Sequence, residues 1–132
     1  MKYLDFLGNY DQFVTNLIKR TAESGIDLKD YPIDHLCYRT GTINDYEQVK
    51  EKLLHVSDKY LENQHHGRPI SKFILSQPLQ VDDYEIPLIE LPAPSQSRQY
   101  KNGLEHLEFV VGDDYDEIRN MYKHLWSAID DS

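Results

Sequence analysis

Asp34-His35-Leu36-Cys37-Tyr38-Arg39-Thr40 is the stretch on which the fold turns. Side chains alternate faces along a strand, so His35, Cys37 and Arg39 share one side and Leu36 and Tyr38 the other. The apolar side belongs on a core. The side carrying imidazole, thiol and guanidinium is odd for a core and normal for a site. Glu105-His106-Leu107-Glu108-Phe109-Val110-Val111 repeats the plan later in the chain. Strict alternation there places His106, Glu108 and Val110 together, and Glu105, Leu107 and Phe109 opposite.

Outward from the first strand, Phe6, Leu7, Tyr10, Phe13, Val14, Leu17 and Ile18 recur at helical spacing and predict a leading helix. Gly8 and Asn9 are placed to split off its first turn, and Gly25 to close it in the left-handed conformation. Asn44 with Glu47 reads as a capping-box variant opening a second helix, whose stripe is Tyr46, Val49, Leu53 and Val56. Extended stretches follow at Lys59–His65 and Pro69–Ser76, joined around Gly67, and at Tyr84–Leu91 after a polar turn at Gln80–Asp83. The first unit therefore reads strand, helix, strand, strand, strand. Leu91–Arg98, with two prolines, is read as the boundary loop. After the second His-bearing strand, Asp114 and Glu117 are placed to cap a third helix with Ile118, Met121, Tyr122, Leu125 and Ile129 as its stripe. The second unit starts like the first and stops before its last three strands.

The expected class is α+β: a curved mixed sheet of βαβββ type with an N-terminal helix and an incomplete second βα unit. The expected segments are 1–30, 31–94 and 95–132. A length of 132 residues suits one compact domain. The formal charge of −9, with no basic block, argues against a nucleic-acid partner. A single cysteine, Cys37, forbids an internal disulfide and suits a reducing compartment. No apolar run approaches the ~20 residues of a membrane span, and Asp5 interrupts any signal-like start. A cytoplasmic domain is expected.

Three residues stand out for chemistry: His35, Glu90 and His106. Two imidazoles and a carboxylate are the ligands of the 2-His-1-carboxylate triad, which leaves coordination positions open and accepts Fe, Mn, Ni or Zn. The competing account is a set of hydrogen-bonded, half-buried strand residues. Arg39 lies on the face of His35, about 13 Å along. Its planar fork suits clamping a substrate carboxylate. Glu108 is placed to orient a ligand or move a proton. The alternative for these two is a mutual ion pair. Cys37 reads as a small buried filler, His65 and His66 as an exposed hairpin, His55 as a helix end, and His124 as solvated.

Asp34–Arg39, Gly67-Arg68-Pro69-Ile70, Ile89-Glu90-Leu91-Pro92 and Glu105–Glu108, in that order, resemble the YecM family, a branch of the vicinal oxygen chelate superfamily that includes glyoxalases and extradiol dioxygenases. The resemblance implies paired βαβββ modules with a divalent metal between them. It implies His35, Glu90 and His106 as metal ligands. Arg39, Glu108 and Arg68 are the candidates for contacts to a small-molecule ligand, with Arg68, after Gly67, reading more as a turn-proximal surface or rim residue than a catalytic one. Isomerase, lyase and dioxygenase outcomes all fit. A fourth ligand would come from a strand beyond this sequence. The rival expectation is a non-catalytic binding module, a homodimer formed through an exposed sheet edge, or an inactive fragment of a longer protein.

Overall fold

The structure, a computed structural model, describes residues 2–95 and 101–110. The proposed third helix, the acidic residues before it and His124 lie outside the described residues. A short turn of 3-10 helix, Lys2–Leu7, leads into helix α1, Tyr10–Glu23. Gly8 has φ 76° and separates the two. The Asn9 side chain then accepts from the Gln12 amide at 3.1 Å as the N-cap. At the far end Gly25 has φ 96°. Its amide bonds Ala22 O and the next amide bonds Thr21 O, the two hydrogen bonds of a Schellman motif.

Five strands follow with one helix among them: β1 Ile33–Arg39, α2 Ile43–Leu54, β2 Ser57–His65, β3 Arg68–Val81, β4 Tyr84–Pro92 and β5 Gly103–Phe109. They form one curved mixed sheet in the order β2-β3-β4-β1-β5. β1 and β4 run parallel, and the other neighbours are antiparallel. The parallel pair requires a crossover, and α2 with the β2–β3 hairpin supplies it. Leu36, Phe73, Ile89 and Leu91 line the covered face and meet Tyr46, Val49 and Leu53 of α2. Leu4, Leu7 and Val14 join the same core from the N-terminal segment. No described helix is long and apolar enough to cross a membrane.

Several sequence expectations shift; α2 ends at Leu54, before Val56 of its expected stripe, and β2 begins at Ser57. The α2 cap is Thr42, not Asn44: its extended backbone and hydroxyl, accepting from the Asp45 amide at 3.1 Å, start the helix two residues earlier. β3 does not stop at Ser76. Its pairing with β4 breaks between Ile74 and Leu79 and resumes to Val81, so the turn shrinks to Asp82–Asp83. Pro78 and Pro87 fall in that break, where a missing N–H removes no ladder bond. Leu91 and Pro92 belong to β4 and not to the loop, and the Ala93 amide still bonds Pro69 O at 2.8 Å. β5 begins at Gly103, two residues before the expected start.

A polar knot fixes α2 to the sheet. The Tyr46 hydroxyl donates to Glu62 at 2.7 Å and lies 2.6 Å from the fully buried Ser71 hydroxyl. Lys50 donates to the same carboxylate at 3.2 Å. Burial pushes the Tyr46 phenol well above its usual range. The hydrogen bond from Tyr46 holds the Glu62 carboxyl below its own range, and Lys50 adds to this.

Candidate metal centre

The sheet order puts the two His-bearing strands side by side. In the ladders Cys37 pairs with Glu90 on β4 and with His106 on β5, and His35 pairs with Glu108. Backbone pairing alone therefore gathers residues from three distant parts of the chain onto the sheet face opposite Leu36 and Ile89. One ligand atom each from His35, Glu90 and His106 lies within 4.8 Å of the others. The two imidazole rings meet edge to face, with centroids 5.6 Å apart.

His35 is buried and sits at the centre. Its Nδ1 is 2.8 Å from the Asp34 carboxylate, which selects the tautomer protonated there. The other nitrogen, Nε2, makes no hydrogen bond. It lies 3.3 Å from Glu90 Oε2 and 3.1 Å from Glu108 Oε2. A buried nitrogen facing two carboxylates suits a cation between them, either a proton on Nε2 or a metal ion. Metal–nitrogen and metal–oxygen bonds of about 2.0–2.1 Å at a tetrahedral angle set the ligand atoms about 3.3 Å apart. The His35–Glu90 spacing matches that edge, so the residues present fit a divalent ion.

Two β-bulges shape the centre. The β1–β5 register slips between Ile33 and His35, leaving Asp34 unpaired. It slips again between Cys37 and Tyr38, whose partners are His106 and Leu104, leaving Glu105 unpaired. An extra residue redirects the side chains around it. Strict alternation placed Glu105 with Leu107 and Phe109 on the covered face. The bulge turns it instead toward Cys37, whose Sγ lies 3.6 Å from Glu105 Oε2. Cys37, Glu105 and His106 thus make a second group with ligand atoms within 4.8 Å of one another, and Asp34, His35 and Glu108 a third. Burial, then the charges of Glu105 and Glu90, hold the Cys37 thiol far above its usual range, with Arg68 acting in the opposite sense.

The remaining sequence candidates make other contacts. Arg39 lies opposite Gly103, and its Nε donates to Lys101 O at 3.2 Å. Arg68 is half-buried and donates to Ala93 O at 3.2 Å. Glu108 is the most exposed member, with 62% of its side chain accessible. His65 and His66 are exposed in the β2–β3 hairpin, and His55 caps α2. Reading from sequence missed Asp34 and Glu105, both placed by bulges, and Lys72, an exposed cation that pairs with Glu90 across β3 and β4. The Asp34-His35 dipeptide was the available signal for the first. Nothing in the alternation flags the others.

A family model described as YecM protein matches residues 2–131. Protein YecM of Escherichia coli K12 is 27% identical over 110 residues, covering 83% of this chain and 58% of that protein. An uncharacterized protein of Haemophilus influenzae is 30% identical over 105 residues, covering 80% of this chain and 53% of that one. A solved structural-genomics structure, Protein EC4020, matches with a TM-score of 0.77 and 26% identity over 89% of this chain and 66% of its own. The chain thus spans a little over half the length of the curated relatives it matches.

Proposed function

Because this chain belongs to the YecM protein family, and because His35, Glu90 and His106 converge on one face of its sheet, we propose that it binds a divalent metal ion through those three side chains and presents it to a small oxygen-rich ligand. The observation that carries the reading is His35 Nε2: buried, without a hydrogen bond, and within 3.3 Å of two carboxylates. Iron, manganese, nickel and zinc all accept two imidazoles and a carboxylate, with positions left open. When bound, the ion supplies Lewis-acid stabilisation to adjacent oxygens of the ligand, the chemistry of the vicinal oxygen chelate superfamily.

The protein's own groups divide the work. Asp34 holds the orientation of the His35 ring through Nδ1. Glu90 comes from the centre of the sheet and neutralises cationic charge. Glu108 is exposed at the mouth, placed to take a proton from the ligand and return it. Arg68 and Arg39 would serve as partners for an anionic ligand group. Isomerase, lyase and dioxygenase outcomes share these requirements.

The test is the metal content of protein purified without added metal, followed by titration with manganese, nickel and zinc. Wild-type protein is expected to bind one equivalent at this centre, and His35→Ala, Glu90→Ala and His106→Ala each to reduce the affinity sharply. Metal content and affinity equal to wild type in all three variants would sink the proposal. So would folded wild-type protein that takes up none of the ions.

A further inference from the structure

The bulge at Glu105 builds a second set of donors beside the first. We propose that Cys37, Glu105 and His106 form a ligand set of their own for a thiophilic divalent cation, cadmium or zinc, and that it shares His106 with the first set. The inference rests on the reading above only through that shared imidazole. Its donors differ in kind: sulfur, oxygen and nitrogen in place of two nitrogens and an oxygen. Soft thiolate selects zinc-like ions, whereas carboxylate and imidazole alone discriminate little among first-row metals.

Geometry supports it in two ways. A zinc–sulfur bond of about 2.3 Å and a zinc–oxygen bond of about 2.0 Å at a tetrahedral angle put sulfur and oxygen about 3.5 Å apart. Cys37 Sγ and Glu105 Oε2 stand 3.6 Å apart. The backbone also breaks its register at this point, with Glu105 as the unpaired residue. An unbroken strand would send that carboxylate to the covered face, away from Cys37. The cation takes the place of the thiol proton: the S–H bond breaks, a sulfur–metal bond forms, and the proton passes to water through the adjacent Glu105 carboxylate. No electrons are transferred.

Cadmium is the probe, because sulfur bound to it gives an ultraviolet charge-transfer band that oxygen and nitrogen donors do not. Cys37 is the single cysteine of the chain, so the band reports this residue without further assignment. Calorimetry follows binding in the same titration. The expected result is a band that saturates at one equivalent, disappears in Cys37→Ser, weakens at least severalfold in Glu105→Gln, and persists in His35→Ala, which removes the centre of the first set. Cadmium bound by calorimetry with no charge-transfer band would overturn this inference and leave the three-ligand reading standing. A band lost in His35→Ala would also overturn it, because the thiol would then belong to the first centre. Should Cys37→Ser fail to fold, the band in wild type and its response to Glu105→Gln and His35→Ala still decide the matter.

Discussion

Replacing Asp34 with Asn tests whether the His35 ring is held as a ligand. The substitution preserves shape and an acceptor oxygen but removes the charge that receives Nδ1–H at 2.8 Å. A hydrogen bond to a charged group is worth about 1.5–3 kcal/mol. The Asp34 side chain is 53% exposed. Water therefore screens part of the interaction, and about 1–1.5 kcal/mol is the amount at stake. At about 1.4 kcal/mol per factor of ten, metal affinity should fall about five- to tenfold. That is near the lower end of the about 10–100-fold usual for loss of a residue that orients a ligating histidine. Competition against a chromophoric chelator resolves such a change. An unchanged dissociation constant would show that Asp34 does not orient the ring. A loss as large as that of His35→Ala would make Asp34 a ligand itself. Either result would refute the reasoning, because both remove the division between the atom that binds and the atom that is held.

Three further outcomes follow from the same structure. Tyr46→Phe removes one partner from the buried Ser71 hydroxyl at 2.6 Å and should cost about 1–2 kcal/mol. Calorimetry would record this as a Tm lower by about 4–8 °C. The Glu62 carboxyl is held below its usual range by Tyr46 and Lys50. Its stabilisation is therefore complete above the unfolded carboxylate's range and lost as pH falls through the lowered folded value. Glu62→Gln should flatten the acid limb of stability, measured by urea unfolding between about pH 6 and about pH 3. The Cys37 thiol, buried and pushed far above its usual range by that burial and by Glu105 and Glu90, should react with iodoacetamide at neutral pH at least tenfold more slowly than a free thiol. Fast alkylation of folded protein would contradict that placement.

Much of the architecture can be read from the letters because period sorts side chains by partner. On β1 all four of His35, Leu36, Cys37 and Tyr38 are buried, but Leu36 and Tyr38 join the apolar core while His35 and Cys37 lie against acids. Gly25 marks the end of α1 because only a left-handed residue closes that motif cheaply. Where reading failed, a local signal was outweighed by one from further away. The apolar pattern of Pro69–Ser76 reads as a strand that stops at Ser76, but after a break in the ladder β3 continues to Val81. Asn44 looked like a cap, but Thr42 reaches the Asp45 amide first and Ile43 tolerates exposure at the start of the helix. The His35, Glu90 and His106 set could be listed from sequence, but its closeness depends on the strand order β4-β1-β5, which no local spacing encodes.

Glu105 exposes the deeper reason. A strand read by period two has only two directions for a side chain, so a carboxylate two residues before Leu107 must share its covered face. A bulge adds a residue without adding a partner and cancels that rule locally. Here it happens twice on the same pair of strands, and each time the unpaired residue is an acid lying against a nitrogen or sulfur donor: Asp34 on His35, Glu105 on Cys37. Neither acid contributes to the apolar core. Each gives up regular ladder pairing where an unbroken strand would keep it. Stability alone gives no reason to place both breaks beside the same two imidazoles. The proposed cation would supply one, because each acid would add negative charge beside an imidazole.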